Sequence, residues 1–194
     1  MGSSLKFSNF FLAIYLTTLF STSIFSATTI NGQTTIQPSD DTIPTTQTEK
    51  MTHLHFYFHD IVSGSKSTVK QIAGPTNVSD SMFGATVIAD DALTEGPEPN
   101  SKIIGRAQGI YAVATQEELG LLMVMSYAFT GGEYNGSSLS ILGRNQVNHP
   151  VREMPVVGGT GTFRFARGFA LAKTVWYNTL GDAIVEYNVT VLHY

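Results

Sequence analysis

The stretch "HLHFYFHDI", residues 53–61, gathers the side chains of this chain that are best suited to chemistry. On an extended strand successive residues face opposite sides, so Leu54, Phe56, Phe58 and Asp60 share one face while His53, His55, Tyr57 and His59 share the other. A carboxylate therefore closes an apolar stripe. Ionised acids avoid apolar surroundings unless paired or solvated, and an acid held there has its pKa raised into a range useful for proton transfer. Asp60 is either a strand end dipping into water or an acid in a pocket. A purely structural role stands beside these: Asp60 ion-pairs with an arginine such as Arg152 and ties two strands together.

The histidine face invites a metal reading, because His53-x-His55 puts two imidazoles on one side and His59 extends the row. Barrel metal sites of that kind need a carboxylate a few residues on, and Phe56, Tyr57, Phe58 and His59 follow instead. The expectation is a polar outer or intersubunit face, and no metal or other cofactor. "GGTG", residues 158–161, sits between two strand-like runs with no helix to supply an N-terminal dipole, so it reads as a tight turn rather than a phosphate cradle. No nucleophile elbow, kinase or dinucleotide fingerprint occurs. Polar residues do recur in apolar strand contexts: Asp60, Arg106, Gln108, Tyr111, Asn145, Arg152, Arg164 and Arg167. In a closed sheet alternation turns some of these inward, and buried charges need partners.

These residues must be held by strands. Short runs of Val, Ile, Phe, Tyr and Thr broken by Gly, Pro, Asn and Asp predict about eight strands, near 52–61, 83–90, 103–114, 119–130, 134–143, 152–157, 162–174 and 183–193. Gly131-Gly132, the 158–161 run and Leu180-Gly181-Asp182 supply hairpin turns, and the proline-bearing segment 94–101 an irregular rim loop. Hairpin-linked strands in this number bury their edges most simply by closing, so the predicted fold class is all-β, an eight-stranded antiparallel up-and-down barrel able to hold one small ligand. An open immunoglobulin-type sandwich without a central cavity is the alternative.

Around that domain, residues 1–26 have the three zones of a secretory signal peptide, with Lys6, an apolar run from Phe10 to Leu19 and small residues near the expected cleavage at Ser26. The apolar run is too short and too rich in Thr and Ser to prefer spanning a bilayer. Residues 27–50, dominated by Thr, Gln, Ser, Asp and Pro, read as a disordered leader, and 51–194 as one domain of ordinary size. The expected product is soluble and secreted, with no membrane segment in its mature form. With no cysteine, thiol chemistry is excluded and stability must come from packing or oligomerisation. A net charge of −4 without a Lys/Arg cluster argues against nucleic acid. Sequons at Asn77, Asn135 and Asn188 are candidate glycosylation sites, the first two in turn-like surroundings.

"HFYFHDI" (55–61), "GRAQGIY" (105–111), "REMPVVGGTGTFRFARGFA" (152–170) and "GDAIVEYNV" (181–189) closely resemble plant dirigent proteins, in the family's order and over nearly all of 51–194. The resemblance implies a barrel related to allene oxide cyclase, secreted to the apoplast, usually glycosylated, and a homo-oligomer, dimer or trimer. Its implied function is to bind phenoxy radicals made by a separate oxidase such as laccase from monolignols such as coniferyl alcohol, and to impose stereoselectivity on lignan formation. Carried over by motif, Asp60 matches the family's first acid, Tyr111 the pocket tyrosine and Arg152 the pocket arginine. "GRN", residues 143–145, replaces the "GAD" that carries the second acid of lignan-forming members, and Asn145 cannot exchange a full proton.

"GRN" with "HLHFYFHDI" and "VREMPVVGG" is more similar to another branch, which includes legume pterocarpan synthases. The alternative function is therefore an isoflavanol dehydratase-cyclase. There Asp60 would protonate the leaving hydroxyl and later act as base, Arg152 would stabilise a developing phenolate and Tyr111 would bond a ring oxygen. Phe56, Phe58 and Phe165 would supply aromatic walls, with Asn145 in contact with substrate. A third reading is a ligand-binding wall protein without chemistry.

Overall fold

The computed structural model describes residues 48–75 and 82–194, so the signal segment, nearly all of the leader and Asn77 lie outside the described residues. Strands are β1 (Lys50–Asp60), β2 (Val69–Ala73), β3 (Thr86–Thr94), β4 (Ile103–Val113), β5 (Gly120–Phe129), β6 (Ser138–Gln146), β7 (Arg152–Thr160), β8 (Arg167–Tyr177) and β9 (Ala183–His193). From β3 to β9 each strand pairs antiparallel with the next, and β1 lies between β9 and β3. That closes a barrel of eight strands. The predicted fold class holds, and the open sandwich does not.

β1 runs beside β9 over its full length, from Lys50↔His193 to Asp60↔Ala183. Against β3 it pairs only at Tyr57↔Thr94, Phe58↔Leu93 and His59↔Ala92. The rest of that β3 edge is taken by β2, starting at Val69↔Ala89. β2 is therefore a ninth strand that continues the edge where β1 leaves it, and the sequence pattern did not predict it. Its five residues are half-buried or exposed, so no apolar alternation announced it. Other boundaries moved as well, most where 3₁₀ turns at Gly132–Tyr134 and Gly161–Phe163 delay β6 to Ser138 and β8 to Arg167 and where β3 runs on to Thr94. Gly158-Gly159-Thr160 finish β7, and Gly161, at φ 62°, opens the turn in a backbone region that favours glycine.

Register explains how the interior is filled. Inward positions of β4 are small and face large neighbours on β5, as Gly105↔Phe129, Ala107↔Tyr127 and Gly109↔Met125. A Cβ on Gly109 would fall 2.1 Å from the Val124 carbonyl oxygen, so the two backbones approach only because none is there. Buried rings then stack across the barrel: Phe56 lies parallel to Tyr187 at 5.7 Å and edge-on to Tyr127 at 5.6 Å. One end is sealed by Phe129, Tyr134 and Phe163, with the His193 ring 5.2 Å from Phe163.

Candidate active site

The other end is polar. Antiparallel pairing brings the C-terminal ends of β1, β4 and β6 and the first residue of β7 to the same rim, and with them Asp60, Tyr111, Asn145 and Arg152. Phe58, Asp60 and Tyr111 keep the inward phase of their strands, as alternation demands. The Tyr111 hydroxyl donates to Asp60, at 3.0 Å to Oδ2 and 3.2 Å to Oδ1.

Asp60 is half-buried. Burial pushes its carboxyl up to about 6, against the opposing pull of the Tyr111 hydrogen bond, and the negative charge of Asp182 adds a smaller push upward. Burial raises the Tyr111 phenol well above its ordinary value, and the neighbouring Asp60 charge raises it further. Tyr111 is thus a fixed neutral donor aimed at an acid poised near neutrality. The chemistry open to that pair is proton delivery to, and removal from, a bound hydroxyl.

Arg152 and Asn145 form the second pair. Both are buried, and Arg152 Nε donates to Asn145 Oδ1 at 3.0 Å. Burial lowers the pKa of the guanidinium, with Tyr187 acting in the opposite direction. Backbone pairing between β6 and β7 stops at Ile141↔Val156. Next comes Pro155, which has no N–H to give, and its Cδ stands 2.7 Å from where a Cβ on Gly143 would be. The Asn145–Arg152 bond spans the two strands where the ladder has ended. Arg152 forms no ion pair with Asp60; the acid's partner is Tyr111. The expectation that Asp60 and Arg152 form an interstrand ion pair is therefore corrected.

The other candidate residues separate from this group. Phe165 is a correction: it is 58% exposed, has φ 61°, and sits in the turn at the sealed end, so it cannot wall a pocket at the polar rim. Phe163, two residues earlier, is the buried ring there. Phe56 is 1% exposed and belongs to the stacked interior, whereas Phe58, tilted on Tyr187, lies two residues below Asp60. Arg106 and Gln108 point outward to Asp90, Arg167 pairs with Glu49, and Arg164 is exposed. The histidines each find a separate partner, His53 with Thr190, His55 with Glu186 and His59 with Thr94. Among the described residues no three His, Cys, Asp or Glu side chains group as metal ligands. Asn135 and Asn188 are exposed.

One residue was not among the candidates. Asp91 is 0% exposed, and its Oδ1 accepts a hydrogen bond from the Thr68 hydroxyl while Oδ2 has no partner. It precedes Ala92, the last β3 residue paired with β1 (His59↔Ala92), and the charge of Asp60 acts on it. The signal was present in "ADDALT", residues 89–94: with Ala89 and Leu93 facing in, the acid between them had to face in as well.

The sequence of residues 51–192 matches the family described as Dirigent-like protein. Dirigent protein 1 of Arabidopsis thaliana is 48% identical over 183 residues, covering 93% of this chain and 97% of that protein. Pterocarpan synthase 1 of Glycyrrhiza echinata is 57% identical over 152 residues, 76% of this chain and 81% of that one. A solved structure of a pterocarpan synthase dirigent protein superposes with a TM-score of 0.73 at 56% identity, covering 76% of this chain and 87% of the other.

Proposed function

This chain belongs to the dirigent-like protein family, and from that premise we propose that it is a dehydratase-cyclase of pterocarpan-forming type, acting on an isoflavanol through a quinone methide. Protonated Asp60 gives its proton to the benzylic hydroxyl, the C–O bond breaks and water leaves, while the ring phenol conjugated with that carbon releases its proton to solvent, giving the neutral quinone methide. A phenol of the same substrate then attacks the electron-poor carbon, forming a new C–O bond, and its proton returns to Asp60. Net change is the loss of one water, with no oxidant consumed. Tyr111 holds Asp60 in place and stabilises its carboxylate between the two steps, and Arg152 stabilises the phenolate oxygen that develops as ring closure collapses the quinone methide, before that oxygen takes a proton back from solvent. Phe58 and its neighbours keep water from trapping the intermediate.

The observation that carries this reading is the inward carboxyl pushed up to about 6 beneath a neutral tyrosine donor. It is supported by Asn145, bonded to Arg152 where the lignan-type motif has an acid, and by relatives named pterocarpan synthase at 57% and 50% identity. A second reading, stereocontrol of phenoxy radical coupling with an added oxidase, draws support from relatives named simply as dirigent proteins. Secretion to the apoplast and assembly into a homo-oligomer belong to either reading. Assembly is supported by an exposed apolar row, Ile88–Ile110–Val124–Leu142, in direct register across four strands of the outer face.

The test is to incubate purified protein with an isoflavanol and no oxidant, and separately with coniferyl alcohol plus laccase, followed by chiral chromatography. Ring closure in the first arm is expected. Enantiomeric excess in the second arm alone replaces this reading with the radical guide, and neither product leaves a binding protein.

A further inference from the structure

The inner wall beside Asp60 carries a residue that the proposed reaction does not use. Asp60 pairs with Ala183 on β9, and Ala183 pairs on its other side with Tyr177 of β8. Side chains opposite one another in an antiparallel ladder share a face, so Asp60, Ala183 and Tyr177 form one row across three strands at the polar rim. Ala183 packs against the core, which makes that face the inner one. The next row inward is Phe58, Val185 and Thr174, by the pairs Phe58↔Val185 and Thr174↔Val185. At the rim a small residue thus stands between two large ones. The wall has a slot one strand wide over Ala183, floored by Val185 and flanked by a carboxyl on one side and a phenol ring on the other.

Tyr177 holds its place in that row because of an irregularity. The β8–β9 register shifts between Thr174 and Trp176, which leaves Val175 as the extra residue of a bulge. A regular strand would set Trp176 opposite Ala183 and turn Tyr177 away. With the bulge, Trp176 pairs with Ile184 in the outward phase and Tyr177 takes the inward one. Bulges recur beside active sites, where they re-aim a side chain. The strand end is also held in place. Asn178 N–H donates to Asp182 O at 3.0 Å, and Asp182 Oδ1 accepts from the N–H groups of Val62 and Ser63 at 2.9 and 2.8 Å, so the turn after Tyr177 is tied to the segment that follows Asp60. Yet the Tyr177 side chain is 76% exposed, with no hydrogen bond or ring contact to any described residue. A fixed backbone that presents an unpacked ring on an inner wall suits a ligand contact better than a core position.

We propose that Tyr177 is a specificity-determining residue of this site: its ring stacks on the aromatic face of a phenolic substrate seated over Ala183, and so selects ligands that present a flat ring beside Asp60. The inference rests on the Asp60 rim being where the proposed reaction takes place. Two strand spacings set the Asp60 and Tyr177 backbones about 10 Å apart, which admits one flat ring between the two side chains. No bond is made or broken by Tyr177. It acts on affinity, equally for the substrate and for the intermediate, because the stacked ring is the same in both.

Two measurements test this, and only the second needs turnover. The probe for the first is an isoflavan, the same ring system without the leaving hydroxyl, titrated into the purified protein in a calorimeter. Tyr177→Ala should weaken its Kd about 5- to 10-fold, whereas Tyr177→Phe, which keeps the ring, should stay within about twofold. Trp176→Ala, on the outward side of the same bulge, should leave the Kd unchanged and controls for a general disturbance of β8. In turnover of the isoflavanol, Tyr177→Ala should raise KM by a similar factor with kcat within about twofold. An isoflavan Kd that Tyr177→Ala leaves in place, or that Trp176→Ala weakens as much, overturns the inference, and persisting turnover would then leave the proposed reaction standing. Binding that depends on the Tyr177 ring without turnover of the isoflavanol keeps the inference and removes the reaction. No isoflavan binding by the unaltered protein removes both.

Discussion

At one end of the barrel Phe129, Tyr134, Phe163 and His193 meet ring against ring, whereas at the other Asp60, Tyr111, Asn145 and Arg152 meet through two hydrogen-bonded pairs. The same strands build both ends. The apolar end gains stability from every ring it encloses, since a buried aromatic side chain contributes on the order of 3–5 kcal/mol against truncation. The polar end places two carboxyls and a guanidinium where water is scarce, which costs stability and raises both acids. A barrel closed at one end can tolerate such a site at the other.

The sharpest way to separate the ends is Asp60→Asn. Activity should fall by about 10²–10⁴-fold while the melting temperature at pH 8 is unchanged or higher, because a raised acid has been removed. A loss of folding with activity per folded molecule intact would reverse the assignment. Phe163→Ala should do the opposite, costing about 3–5 kcal/mol in urea unfolding with kcat per folded molecule nearly unchanged.

Stability should also depend on pH in a way that belongs to the polar end. Asp60 and Asp91 both have folded pKa values above their unfolded ones, so the folded protein binds more protons through that interval and stability falls as pH rises from about 4 to about 8. Asp91→Asn should flatten this slope, gaining roughly 2 kcal/mol at pH 8.5 and almost nothing at pH 4, read from denaturant midpoints. A slope unchanged in the variant would mean that Asp91 is not the group responsible. Asn145→Ala should cost about 1–3 kcal/mol by leaving Arg152 without its bond across the β6–β7 gap. Phe165→Asn, in the exposed turn, should stay within about 0.5 kcal/mol and leave activity alone.

Much of this was legible from residue order. Every strand but β2 was foreseen, and the boundaries moved most where a 3₁₀ turn precedes β6 and β8 and at the far end of β3. The inward phase of Phe56, Phe58 and Asp60 followed from alternation alone. The same rule applied to "ADDALT" discloses Asp91, so the information for that residue was local as well. Phe165 misled because a two-residue shift separates it from the buried Phe163, and the 3₁₀ turn that resets the phase there has no alternation to betray it.

Sequence by itself determined the fold class, the family and which face each strand residue takes, because side-chain direction along a strand is a local property with a period of two. Only the tertiary structure decided that Tyr111 rather than Arg152 is the partner of Asp60, that Asn145 spans a gap opened by Pro155, and that a second acid is buried on the strand that pairs with β1. Those facts depend on register between segments up to 51 residues apart, set by how the closed sheet exchanges β1 for β2 along one edge of β3. No local pattern encodes that exchange.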